Sequence, residues 1–298
     1  MTIVVASGKG GTGKTTVAIG LARALPGSTA LLDCDVEAPN AHLFFHDGAR
    51  EREMFAVTMP RVDEERCTGC GACAEFCAFG ALAVVNRQVI IIDELCHACG
   101  GCSIACPHDA IREVPHVIGS VTTERHKDLT LVTGDLNVGE TLAPPLIREV
   151  KTRGGVYLRR PGTRASGTGD YVVIDAPPGT TCPVVESVRG ADVAVLVTEN
   201  TPFGVHDLRL AAIVCRDLGV SAGVVVNRVG VGYPDEQALK SVCEEFDLPI
   251  LLRIPYSEAV ASAYARGDDI VAAEPTLRAA FEELAAGLVQ LAAPGVAS

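Results

Sequence analysis

Two groups of residues in this chain have types and spacings that do chemistry. The first is the run Gly8-Lys9-Gly10-Gly11-Thr12-Gly13-Lys14-Thr15-Thr16, which satisfies G-x4-G-K-[ST]. Its glycines let backbone N–H groups close around phosphate oxygens, and the positive end of a following helix favours the anion. Lys14 then reaches for the β- and γ-phosphates, and the Thr15 hydroxyl is placed to ligate Mg²⁺. Most such loops carry one lysine; this one has a second, Lys9. The second group is eight cysteines in two rows: Cys67, Cys70, Cys73, Cys77, then Cys96, Cys99, Cys102, Cys106. Each row reads C-x2-C-x2-C-x3-C, and the rows align at an offset of 29, an internal repeat.

These residues need elements to hold them. Thr2–Ala6 is a β-branched apolar run, a buried strand, and Thr15–Leu25 has helical apolar spacing that stops before Pro26-Gly27. The glycine-rich loop therefore lies between a strand and a helix N-terminus, the context its motif requires. Further apolar strands recur at Tyr171–Ile174, Val193–Thr198, Gly223–Val226 and Ile250–Ile254, with helical patterns around Asp207–Leu218 and Glu236–Phe246. Such alternation predicts an α/β fold: a mostly parallel sheet covered by helices on both faces, with ligand at the carboxyl ends of the strands.

With Lys9 in place, the loop resembles the deviant Walker A P-loop ATPases: the MinD/ParA partition ATPases, the nitrogenase iron protein and the Mrp-type cluster carriers. The resemblance implies that Lys9 reaches across a dimer interface to the nucleotide of a second copy, so that the working unit is a homodimer formed on ATP binding. It also implies that Gly8 through Thr16 bind ATP and that Lys9, Lys14 and Asp35 carry catalysis. The strand "TALLDCDVEAPN" ends in Asp33 and Asp35 and resembles switch I of that class; Asp35 would orient the attacking water. "YVVIDAPPGT" ends in Asp175 and looks like Walker B, with Asp175 holding Mg²⁺ through water, Asp33 or Asp35 assisting through water, and Pro177–Thr180 as switch II. Asn227 occupies the position of the adenine-reading asparagine, and Pro255 in "RIPYS" that of the base-side loop. Asn227-Arg228-Val229-Gly230 lacks the aspartate of a guanine reader, so ATP is favoured over GTP.

The cysteine rows follow the bacterial two-cluster ferredoxin pattern, in which the fourth cysteine of each row serves the other cluster. On that pattern Cys67, Cys70, Cys73 and Cys106 hold one 4Fe–4S cluster, and Cys96, Cys99, Cys102 and Cys77 the second. Zinc is the competing reading of any C-x2-C pair, but two uninterrupted four-cysteine rows favour clusters. Pro107 follows Cys106, whereas Ala78 follows Cys77. An inserted ferredoxin domain is thus expected over residues 60–115, interrupting an ATPase domain of residues 1–59 and 116–298.

Composition bounds the partners. The chain has 298 residues, 48% hydrophobic and 21% charged, with a formal net charge of −12. Acidic balance argues against nucleic acid and against an anionic membrane surface. The N-terminus has no basic segment before its glycine-rich loop, and CxxC spacing in a chain of this size points to metal rather than disulfides, so a cytoplasmic protein is expected. The segment 276–293 is amphipathic but nearly without basic residues, and is read as packing on the body. Cys34, Cys215 and Cys243 read as small buried hydrophobes; Cys182 falls where a thiolate at the dimer seam would sit. His42 and His46 are spaced i, i+4. Two functions follow: ATP-gated electron transfer from a donor to a partner metalloprotein, or an assembly or positioning factor that handles a metal or protein cargo.

Overall fold

The computed structural model describes residues 1–156, 171–231 and 235–292. In chain order the elements are β1 (Thr2–Ala6), α1 (Lys14–Ala24), β2 (Thr29–Asp33), β3 (Ala49–Val62), α2 (Ala72–Phe76), β4 (Leu82–Val85), β5 (Gln88–Ile91) and α3 (Gly101–Ala105). They continue with β6 (Ile111–Arg125), β7 (Leu129–Leu136), α4 (Ala143–Arg153), β8 (Tyr171–Asp175), α5 (Cys182–Val188), β9 (Val193–Glu199) and α6 (Pro202–Asp217). Last come β10 (Ala222–Val229), α7 (Gln237–Glu245), β11 (Ile250–Pro255), α8 (Glu258–Arg266), α9 (Ile270–Ala273) and α10 (Thr276–Leu291). The chain divides into two compact units. One comprises Met1–Arg52, Val121–Asp135 and Ile147–Ser298; the other Glu53–Ser120 and Leu136–Leu146.

The first unit is built on a sheet of order β11-β10-β9-β1-β8-β2-β7, continued by β6 and β3. From β11 to β7 every pairing is parallel. Strands β1 and β2 are buried along their whole length, which is why they read as unbroken apolar runs rather than alternating ones. The β1-loop-α1 crossover skips over β8, so β1 and β2 flank it and the loop opens at the carboxyl ends of all three strands. Helix α10 lays Leu277, Phe281, Leu284 and Leu288 into the core beside α1, each worth about 1.5–3 kcal/mol of burial. A Cβ at Gly20 would collide with the Phe281 ring, so the glycine sets how closely α1 and α10 approach.

The second unit carries both cysteine rows and the antiparallel hairpin β4–β5. Asn86 and Arg87 turn that hairpin with φ of 51° and 66°, as a two-residue turn joining right-twisted strands requires. Its boundaries lie outside 60–115 because β3 and β6 run for 14 and 15 residues, and residues 136–146 join it.

Candidate functional site

Gly13 caps α1 in the left-handed region, at φ 95°. Only glycine fits there, because a Cβ would also collide with the Asn227 side-chain nitrogen. Asn227 Nδ2 donates to the Thr12 carbonyl at 2.7 Å, tying the end of β10 to the loop. The backbone at Lys9 is fixed as well: its carbonyl accepts from the Ser7 hydroxyl at 2.5 Å and, at 3.5 Å, from Lys14 Nζ. Burial lowers the Lys14 pKa, opposed by the charges of Asp175 and Asp35.

Three acids face this loop. Asp33 and Asp175 are paired across β2 and β8 and both are buried. Asp33 accepts backbone N–H groups from Asp35 at 3.2 Å and from Asn40 and Ala41 at 2.9 Å each, so it organises the segment after β2. Burial, then the Asp175 charge, push its pKa up to about 8. Asp175 is raised to about 7, chiefly by burial, with the Thr15 hydroxyl and Lys14 opposing. Thr15 lies close, yet among the described residues neither Asp175 oxygen has a hydrogen-bond partner. A pair of buried, mutually repelling carboxylates, one of them unpartnered beside a threonine hydroxyl, is chemically suited to a divalent cation. Asp35 is half-buried, its pKa raised by burial and lowered by Lys14.

On the base side, Gly11, Gly13, Thr16, Asn227, Arg228, Pro255, Tyr256 and Tyr264 line a cleft of about 340 Å³. Concavity, aromatic walls and a few convergent polar groups are what a nucleobase site needs. Tyr256 follows the last residue of β11, within the RIPYS segment read as the base-side loop, while Tyr264 lies in the last turn of α8 and has nothing in its local sequence to mark it.

Residues 3–270 match the family model described as the CobQ/CobB/MinD/ParA nucleotide binding domain. The chain belongs to this family. It is 29% identical over 291 residues to uncharacterized protein MJ0579 of Methanocaldococcus jannaschii, covering 96% of each chain. It is 31% identical over 259 residues to uncharacterized protein MJ0578 of the same organism, covering 85% of this chain and 87% of that one. Among solved structures, the septum site-determining protein MinD complexed with Mg-ADP from Pyrococcus horikoshii OT3 is similar at TM-score 0.57. There the identity is 19% and the coverage 98% of each chain, which is a likeness of fold. The loop and acid set just described lie within the residues matched to this nucleotide binding domain.

The eight paired-row cysteines gather in two places within the second unit. Cys67, Cys70, Cys73 and Cys106 line one cavity; Cys77, Cys96, Cys99 and Cys102 line another. All twelve cysteines are free thiols. The repeat is written into the backbone. Gly71 and Gly100 cap α2 and α3 in the left-handed region, and Cys77 and Cys106 end those helices. Gly69 and Ala98 are both left-handed, at φ 68° and 50°; so are Gly80 and Asp109, at 65° and 46°. The Ala98 N–H donates to Cys96 Sγ at 3.4 Å and the Ala110 N–H to Cys106 Sγ at 3.3 Å. Among the described residues, no group of three or more His, Cys, Asp or Glu is drawn together as a single ion would need. His97 stacks on Phe79 with centroids 3.8 Å apart beside the second cavity.

Other expected residues fall as follows. Cys34, Cys215 and Cys243 are buried, and burial pushes the Cys34 and Cys215 thiols strongly up. Cys182 is exposed at the first position of α5. His42 sits in a 3₁₀ turn, Ala41–Phe44, that ends before His46, so the two share no α-helical face. Helix α6 begins at Pro202, five residues before the expected Asp207, because Thr201 accepts the Gly204 N–H as its cap. Among the described residues no helix is long and apolar enough to cross a membrane. Two further residues went unread: Glu199, which holds Lys9, and Lys151, which is fully buried.

Proposed function

We propose that this chain is a Mg²⁺-dependent ATPase that works as an ATP-bound homodimer and couples that cycle to electron transfer through two 4Fe–4S clusters. What supports the ATPase is the buried pair Asp33 and Asp175 beside Lys14 and Thr15, with one carboxylate unpartnered. Lys14 and the loop N–H groups hold the phosphates. Thr15 and Asp175 hold Mg²⁺, the latter through water. Asp35 orients the attacking water, and Lys9 of a second copy adds positive charge where the transition state concentrates negative charge. Asn227 reads adenine, with Pro255 on the base-side loop.

What supports the coupled function is the sorting of the cysteines into two four-thiol cavities, each drawing three residues from one row and one from the other. A single ion gathers its donors about one point, whereas a cluster of four irons takes one thiolate on each iron, which suits four-thiol sites. Bound there, each cluster supplies one-electron transfer. The chain's own part is to supply four thiolates per site, to donate the Ala98 and Ala110 N–H groups to sulfur, and to dock the redox partners, a donor and an acceptor metalloprotein.

A second reading is a positioning or assembly factor whose own clusters are structural or sensory. The likeness to a septum site-determining protein favours it. One experiment separates the two: EPR-monitored redox titration of anaerobically purified protein, with and without MgATP and a non-hydrolysable analogue, beside the ATPase rates of oxidised and reduced protein. A shift near 60 mV, about 1.4 kcal/mol of coupling for one electron, with redox-dependent hydrolysis, supports the first reading. Unmoved potentials and redox-blind hydrolysis overturn it in favour of the second.

A further inference from the structure

Lys9 is held in this chain by its own Glu199. Lys9 Nζ lies 3.6 Å from Glu199 Oε2, while Arg228 Nη1 lies 2.6 Å from Oε1 of the same carboxylate. The Glu199 side chain is only 14% exposed, so its charge is largely desolvated and needs a cation. It has two, held unequally. Arg228 is close, and its backbone is fixed in the left-handed region at φ 55°, where its N–H bonds the Asn227 side-chain oxygen at 2.9 Å. Non-glycine residues held in that region persist where the surroundings demand it. Lys9 is the looser partner. Its backbone is pinned through its carbonyl by Ser7 and Lys14. Only its side chain is free to swing.

We infer that Glu199 is a positioning residue that holds Lys9 in cis within the single chain and releases it to a second copy, with Arg228 remaining behind to neutralise the carboxylate. The inference rests on the reading of Lys9 as the residue donated across a dimer. Without Arg228, the departure of Lys9 would leave a desolvated carboxylate unpaired, which is strongly unfavourable. With Arg228 in place, release costs only a loose, partly exposed pair, and the hand-over stays reversible. The same arginine lines the base cleft and adjoins Asn227, so the carboxylate that holds Lys9 is tied to the strand end facing the nucleobase.

Removing Glu199 and removing Arg228 therefore have opposite effects, which a merely structural role does not produce. Specific MgATP hydrolysis is measured against protein concentration for the full chain purified without oxygen, as wild type, Glu199→Gln, Arg228→Gln, the double variant and Lys9→Ala. Nucleotide affinity is measured separately, so that loss of the base-side contact is not mistaken for loss of dimer. Glu199→Gln frees Lys9 and lowers the concentration of half-maximal activity by roughly threefold to tenfold, two such pairs being released per dimer. Arg228→Gln leaves Lys9 as the sole cation on the carboxylate and raises that concentration by a similar factor. The double variant follows Glu199→Gln. Midpoints that do not move, or that move in the same direction in both single variants, overturn the inference. Lys9→Ala separates the two failures: if it keeps wild-type rate and concentration dependence, the dimer reading itself falls; if it loses them while Glu199→Gln stays at wild type, only the holding role of Glu199 falls.

Discussion

Asp33 and Asp175 face one another across adjacent parallel strands, two buried carboxylates at the mouth of the phosphate loop. Each has a pKa raised mainly by burial, to about 8 and about 7. The fold therefore sets two acids together whose repulsion a divalent cation would neutralise. Between the unfolded value near 4 and these raised values the folded chain binds more protons than the unfolded one, so this pair's contribution to stability falls as pH rises from about 4 to about 8. Replacing Asp175 by Asn should flatten that slope and raise the melting temperature in EDTA near pH 8. It should also abolish the stabilisation that Mg·ADP gives wild type. Differential scanning fluorimetry at pH 5 and pH 8, with and without Mg·ADP, reads both effects; a variant still stabilised by Mg·ADP would remove Asp175 from the metal site.

The contact between Gly13 and Asn227 makes a second prediction. Gly13→Ala forces a Cβ against Asn227 in a backbone region closed to alanine, so nucleotide binding should be lost, and calorimetry with Mg·ADP tests it. Asn227→Ala removes the hydrogen bond to the Thr12 carbonyl that braces the loop; ATP affinity should drop roughly tenfold, in line with about 1–2 kcal/mol. If Asn227 reads adenine, the ATP-over-GTP preference shrinks with it. A variant with lower affinity for both nucleotides in equal measure would restrict Asn227 to bracing Thr12.

How much of this was legible depends on whether a residue's partner lies nearby in sequence. The loop could be read because Gly13 and the start of α1 act within a few residues, and the cysteine repeat because its spacing is local. Its backbone echo at Gly69 and Ala98 also follows from the 29-residue offset, although alanine gives no sign of a left-handed conformation. Thr201-Pro202 was a readable helix start that apolar spacing from Asp207 obscured. Glu199 and Lys151 were not readable: their partners, Lys9 and the end of α5, are brought close only by the order of strands in the sheet. The length of β3 was hidden by its sequence, since its first six residues are all exposed and four of them are charged.

Ligand exchange between the cysteine rows gives a third prediction. If the fourth cysteine of each row serves the other site, Cys106→Ser should impair the site of Cys67, Cys70 and Cys73 and spare its own row. Iron should fall from about eight to about four atoms per chain in reconstituted protein. Cys77→Ser should do the converse, leaving a distinguishable EPR signal. Loss of the signal that belongs to the mutated row itself would refute the exchange.

The left-handed Ala98 is strained where its repeat partner is glycine. Ala98→Gly should stabilise the chain by about 0.5–1 kcal/mol, the strain relieved being partly offset by the added freedom of the unfolded chain. The reverse change, Gly69→Ala, drives a Cβ into the Arg87 backbone and should prevent the second unit from loading iron. Thermal melts of the loaded chain and iron content measure the pair; equal melting temperatures for Ala98→Gly and wild type would show that the surroundings favour the methyl group.

Lys151 is fully buried, and its ammonium donates to the carbonyls of Glu186 at 2.5 Å, Ser187 at 3.2 Å and Arg189 at 2.6 Å. Those carbonyls lie at the C-terminal end of α5, where a cation meets the negative end of the helix. Burial lowers its pKa to about 8, while the Glu186 charge and three charge-assisted bonds favour the ammonium. Lys151→Met keeps the apolar stem and strands three buried acceptors, so it should cost about 2–4 kcal/mol in urea unfolding. Helix α5 follows Pro177–Thr180, the segment that joins it to Asp175. If Lys151 anchors the far end of that segment, the variant should also weaken ATP hydrolysis more than Mg·ADP binding. A loss of stability with hydrolysis unchanged would confine Lys151 to holding the fold.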